Sequence, residues 1–179
     1  MNLFLGTFLE PQFFEKIPFS TIEEKFKDQL KPINRNYLHL TWLFLGEVDI
    51  NHLNKLYASI DNNIDNFKNI TFTGDQITLW PPNSASRLIV MEGKLNKNIS
   101  ESILKLGNDV KNISNPDLKE EFLPHITIAR FKKDFTQKKN FSLLVHDFLW
   151  NIKEISLIES HIKNEGERPV YSKVKNWKV

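Results

Sequence analysis

Leu38-His39-Leu40-Thr41-Trp42-Leu43-Phe44-Leu45-Gly46-Glu47-Val48 is an apolar, β-type run that carries an imidazole and a hydroxyl two residues apart. The same pattern returns in Pro124-His125-Ile126-Thr127-Ile128-Ala129-Arg130-Phe131. His125 follows His39 by 86 positions in a chain of 179 residues, close to half its length. Two copies of one motif, half a chain apart, predict two similar lobes that bring both copies to a central cleft. Strand side chains alternate between faces, so His39 and Thr41 share a face, and so do His125 and Thr127. Simple alternation sends Leu40, Trp42 and Phe44 to the opposite, core-facing side, with Ile126 and Ile128. It also sends Arg130 away from His125 unless the strand bulges near its end.

Working outward, residues 2–9 read as a strand that Pro11 ends. Ser20 and Glu23 have capping-box spacing and predict a helix over 20–30, stopped by Pro32. Leu53, Leu56, Tyr57, Ile60, Ile64 and Phe67 recur at helical spacing over 51–67. Strands are expected over 69–80 and 86–95, with a loop at 81–86 between them. A helix over 99–113, with Ser100 as its cap, precedes the second motif strand. A Lys-rich loop, a short helix over 141–149 and an antiparallel pair over 154–162 and 170–179 complete the chain. Helices are few and strands often follow one another directly. This predicts an α+β fold with antiparallel sheets, not a doubly wound parallel one. No low-complexity linker divides the chain, so residues 1–179 are expected to form a single bilobal domain.

Composition removes several function classes. Lys+Arg 24 against Asp+Glu 22 leaves a formal charge of +2, too little to wrap duplex nucleic acid by bulk charge. The chain has no cysteine, which excludes disulfides, thiolate zinc sites, iron–sulfur ligation and a thiol nucleophile. No apolar run approaches the roughly 20 residues that span a bilayer. The apolar N-terminus lacks the basic region of a signal peptide, so a cytoplasmic protein is expected, without a membrane or an obligatory protein partner, and monomeric.

Two imidazoles across a cleft suit phosphodiester chemistry. A free imidazole titrates at about 6.5, so one neutral ring can accept a proton from water while a protonated one gives a proton to a leaving oxygen. Two threonine hydroxyls can bind non-bridging oxygens as charge develops. No cofactor or metal is required. Zinc wants at least three ligands, and neither motif has the His-Glu-x-x-His form.

The two motifs in these contexts, with Leu157-Ile158-Glu159-Ser160-His161 near the C-terminus, resemble the 2H phosphoesterases over nearly the whole chain. The likeness is greatest to their RNA 2′,3′-cyclic phosphodiesterase branch, the LigT-like proteins once called 2′-5′ RNA ligases. The resemblance implies a bilobal, duplicated α+β fold, two antiparallel sheets lining a central cleft with helices outside. It implies His39 as proton donor, His125 as proton acceptor, and Thr41 and Thr127 as phosphate ligands. The reaction implied is opening of an RNA 2′,3′-cyclic phosphate to a 2′-phosphomonoester, with 2′-5′ ligation as its reverse. Small cyclic nucleotides or 2′-5′ oligoadenylates are the alternative substrates, and a non-catalytic RNA- or nucleotide-binding module is the alternative class. Arg130 is a candidate phosphate contact by resemblance. Trp42 stands where a smaller aliphatic is common, and only four of the basic residues are Arg. Arg87 reads as solvated or ion-paired, and Lys132, Lys133, Lys138 and Lys139 as a solvated loop or an RNA-backbone contact. His161 reads as structural, His52 and His146 as surface or capping residues, and Phe4, Phe8 and Trp80 as core.

Overall fold

The computed structural model describes residues 1–82, 85–133, 135, 141–162 and 169–179, with the Pro32 side chain left out. Ten strands and three α-helices follow one another as β1 (Asn2–Phe8), α1 (Phe19–Phe26), β2 (Leu30–Pro32), β3 (His39–Glu47), α2 (Leu53–Asp61), β4 (Thr71–Trp80), β5 (Leu88–Leu95), α3 (Ser100–Val110), β6 (His125–Phe131), β7 (Ser142–Leu144), β8 (Leu149–Asn151), β9 (Glu154–His161) and β10 (Val170–Lys178). Every pairing among the described residues is antiparallel. The strand order is β10-β9-β1-β3-β6-β5-β4-β7, with β2 on β6 and β8 on β4. This is the α+β class read from the sequence.

The sheet has two halves joined, among the described residues, by one ladder pair. β3 meets β6 only at Leu40 opposite Ile126. Both side chains are fully buried, so the seam between the halves is held from the core side. Beyond that pair the strands part. β2 runs along β6 at Ala129–Phe131. The segment after α3 closes on β3, where Asn115 and Asp117 donate their amides to the Leu45 and Phe44 carbonyls at 3.0 and 2.9 Å. Gly46 gives β3 its turn there, at φ 70°, a conformation that L side chains rarely adopt. Most buried apolar residues form one cluster drawn from both halves, from Leu3 to Trp177.

Some local expectations change. α1 starts at Phe19, one residue before Ser20, so Ser20 lies inside the first turn and caps nothing. The 51–67 stretch is not one helix. α2 stops at Asp61, and the Asn63 amide then ties the Ser59 carbonyl (2.9 Å) to the Asp109 carboxylate (3.0 Å). Ser100 is the first residue of α3 and not its cap: its amide donates to the Asn98 side chain at 2.9 Å, and its hydroxyl accepts from the Phe122 amide. The expected helix over 141–149 is two short strands, β7 and β8, instead. Val145 and Phe148 mimic helical spacing, but Asp147, at φ 56°, turns the chain between them. Lys138 and Lys139, and residues 163–168 of the last connection, lie outside the described residues.

Candidate functional site

β3 and β6 carry the two motifs on the same side of the sheet. With Leu40 opposite Ile126, antiparallel register sets His39 beside Thr127 and Thr41 beside His125. All four side chains are half-buried, on the face away from the core. The structure therefore brings the four sequence-predicted residues to one place, arranged as a diagonal of two rings and two hydroxyls.

Each ring is set by the same local device. His39 Nδ1 lies 2.6 Å from the Tyr37 carbonyl, and His125 Nδ1 lies 2.8 Å from the Leu123 carbonyl, each two residues upstream. A carbonyl only accepts, so Nδ1 carries the hydrogen in both rings. Nε2 is then the free, basic nitrogen on the edge turned away from the backbone.

Each strand bulges directly after its threonine. Along β3 the register runs from Leu43 opposite Leu5 to Thr41 opposite Gly6, which leaves Trp42 as the extra residue. Along β6 it runs from Ala129 opposite Ile89 to Thr127 opposite Val90, which leaves Ile128 extra. Two consecutive residues are buried in each strand, Trp42–Leu43 and Ile128–Ala129, and alternation resumes out of phase. Trp42 faces the core as expected, stacks on Phe122 and donates its indole N–H to the Thr7 hydroxyl at 2.8 Å. Phe44, however, is not a core residue. The bulge returns it to the His39 face, where it is half exposed. The same shift brings Arg130 back to the His125 face, exposed. Its charge acts on both His39 and Tyr171 across the seam, and it makes no ion pair among the described residues. Phe44 and Arg130 thus occupy equivalent positions in the two halves.

The surroundings of the rings differ. His39 packs against Phe4, Phe8 and Tyr171, with ring centroids 5.0, 5.9 and 5.1 Å away. Burial in this aromatic setting lowers its pKa to about 4, against the opposing bond to the Tyr37 carbonyl and with help from the charges of His125 and Arg130. His125 is lowered too, by burial first and by Lys119, while the Leu123 carbonyl and the Glu92 carboxylate work to raise it. Trp80 lies against its ring at 4.4 Å. A groove lined by Thr41, Phe44, Trp80, Phe122 and Leu123 leads to His125.

The remaining candidates stand apart from the four. His161 contacts Glu159 (2.9 Å) and Ser172 (3.3 Å) between β9 and β10, a structural place. Arg87 and His146 are exposed, and His52 sits at the entry to α2. Among the described residues, no three His, Asp or Glu side chains gather as a metal-ligand set, and no helix is long and apolar enough to cross a membrane. Phe8, Trp80, Glu92 and Tyr171 border the rings but carry no motif. They come from strands far apart in the chain, and only the register reveals them. Phe4 is core, as expected, and also touches His39.

No family model matches the chain. In sequence it is similar to the RNA 2′,3′-cyclic phosphodiesterase of Methanocaldococcus jannaschii, 28% identical over 184 residues, covering 99% of this chain and all of that one. In fold it is similar to TT0787 of Thermus thermophilus (22% identity, TM-score 0.72, 99% and 97% of the two chains covered). It is also similar to E. coli LigT in its apo form (20% identity, TM-score 0.72, 99% and 96% covered), a protein also solved with 3′-AMP. Over its whole length the chain is thus similar in sequence to an RNA 2′,3′-cyclic phosphodiesterase and shares the fold of LigT and TT0787.

Proposed function

We propose that the protein hydrolyses the 2′,3′-cyclic phosphate end of RNA to a 2′-phosphomonoester, with His39, Thr41, His125 and Thr127 as its catalytic residues. The observation that carries this reading is the diagonal at the Leu40–Ile126 seam, two rings with free Nε2 edges and two hydroxyls on one face. In this reading the cyclic phosphate lies between the rings. Water bonds to phosphorus as its proton passes to His125 Nε2. The bond from phosphorus to O3′ breaks, and O3′ takes the proton held by His39 Nε2. Thr41, Thr127 and Arg130 hold the non-bridging oxygens as charge builds.

The unequal settings suit unequal roles. The aromatic setting and Arg130 make a protonated His39 a strong acid, apt to give its proton away. The carboxylate near His125 favours the imidazolium formed when that ring accepts one. In the free protein both rings favour the neutral form at pH 7. A bound phosphodiester brings a negative charge beside Arg130 and His39, which lets His39 take up the proton it later gives. The reverse reaction, joining RNA ends through a 2′-5′ linkage, uses the same groups with roles exchanged.

The test is incubation of the purified protein, in EDTA, with a short RNA ending in a 2′,3′-cyclic phosphate, with His125→Ala alongside. Conversion to a 2′-phosphate end by the wild type alone is expected. No conversion by the wild type overturns the RNA reading, and small cyclic nucleotides are then the substrates to try.

A further inference from the structure

Glu92 has a place that the reaction above does not use. It lies in β5 between Gln76 of β4 and His125 of β6, one cross-strand row. Gln76, Thr78 and Trp80 follow one another at two-residue spacing along β4, and all three donate to its carboxylate. The Thr78 hydroxyl is 2.7 Å from it, the Gln76 amide 3.1 Å, and the Trp80 indole N–H completes the set. Trp80, so tied, lies against the His125 ring at 4.4 Å and a tilt of 38°. His125 is therefore held on one edge by the Leu123 carbonyl and on one face by an indole that a carboxylate fixes. Among the described residues, His39 has no such arrangement. Its ring meets Phe4, Phe8 and Tyr171.

We propose that Glu92 is a positioning residue for His125, acting through the Trp80 indole and through its own charge on the imidazolium that forms as water is deprotonated. The inference rests on the reading of His125 as the base. Burial works to raise the Glu92 carboxyl, yet its donors, Thr78 first, and the nearby His125 hold it below its ordinary value, so it stays ionised. A tryptophan face also attracts a cation, which favours the protonated ring over the neutral one. The charged groups that act on the His125 ring are Glu92 on β5, Lys119 on the segment before β6, and His39 across the seam on β3, while Asp117, paired with Lys119 at 3.4 Å, and Glu121 line the same groove. Of the groups that act on the ring, Glu92 is the one that favours the imidazolium.

The test is an NMR pH titration of the His39 and His125 rings without substrate, in wild type, Glu92→Gln and Trp80→Phe, with the fold of each variant checked by its amide spectrum. Glu92→Gln should move the His125 midpoint to lower pH, move the His39 midpoint less, and shift the matching limb of the kcat/KM profile the same way. Trp80→Phe keeps a face contact but frees the carboxylate, and should lower kcat while changing KM little. An unmoved His125 midpoint in folded Glu92→Gln overturns the proposal. If Glu92→Gln does not fold, an unchanged kcat in Trp80→Phe does so. The titration is read without RNA, so the two failures are distinguishable: a wild type inactive on RNA ends sinks the functional reading, and an unmoved His125 midpoint sinks the link from Glu92 to His125.

Discussion

The half built around β3 and the half built around β6 repeat one geometry and differ in chemistry. Both carry His-x-Thr, both lock the ring through Nδ1 to the carbonyl two residues back, and both bulge directly after the threonine. Past the bulge, one half presents Phe44 and the other Arg130. One ring is packed among aromatic side chains, and the other lies beside a tryptophan tied to a carboxylate. The repeat sets where the groups stand. In the proposed reaction, the departures from the repeat set which group holds a proton and where negative charge is received.

The comparison breaks most completely if either ring is removed. His39→Ala and His125→Ala should each lower turnover on a cyclic-phosphate RNA end by about 10²–10⁴-fold or more, with circular dichroism unchanged. A variant within threefold of wild type contradicts a shared site. The bulge residues come next. Trp42 fills the core and donates a buried hydrogen bond, so Trp42→Ala should cost about 3–5 kcal/mol in urea unfolding. Ile128→Val, at the equivalent position, should cost about 0.5–1.5 kcal/mol.

The His39 setting also has a pH consequence. The folded pKa, about 4, lies below the ordinary 6.5, so the unfolded chain binds the extra proton first. Stability should therefore fall as pH drops from about 7 towards 4 and level off below, by roughly 3 kcal/mol from this group. The same series on His39→Gln should lose less, and an equal loss would remove His39 as the cause. The smallest effect is at the divergent pair. Arg130→Ala should cost about 1.5–3 kcal/mol of transition-state binding, seen in kcat/KM. It should also move the His39 titration to higher pH, since the guanidinium opposes protonation there. Phe44→Ala, at the equivalent place, should leave that titration where it is.

Most strands, and the site's four central residues, are legible in the sequence because apolar alternation and the doubled motif are local signals. The helix ends are less so. Ser20 and Glu23 have the right spacing one residue too late, and Val145 and Phe148 have helical spacing in a turn. Phe44 is misread because alternation is counted through Trp42, which the bulge takes out of register. The same irregularity decides Arg130, which reaches the site only because β6 bulges at Ile128. Trp80 and Phe8 look like core from their composition alone. Their contacts with the rings are made across strands, where a single sequence carries no signal.

The central claim is that both motifs act on one phosphate. Titrating the protein with a nucleoside 2′-monophosphate while following the His39 and His125 ring signals by NMR tests it most directly. Both rings should shift along one saturation curve, and both should titrate at higher pH when the site is full, because a bound anion favours each imidazolium. A ring that stays still while the other saturates would contradict a single site.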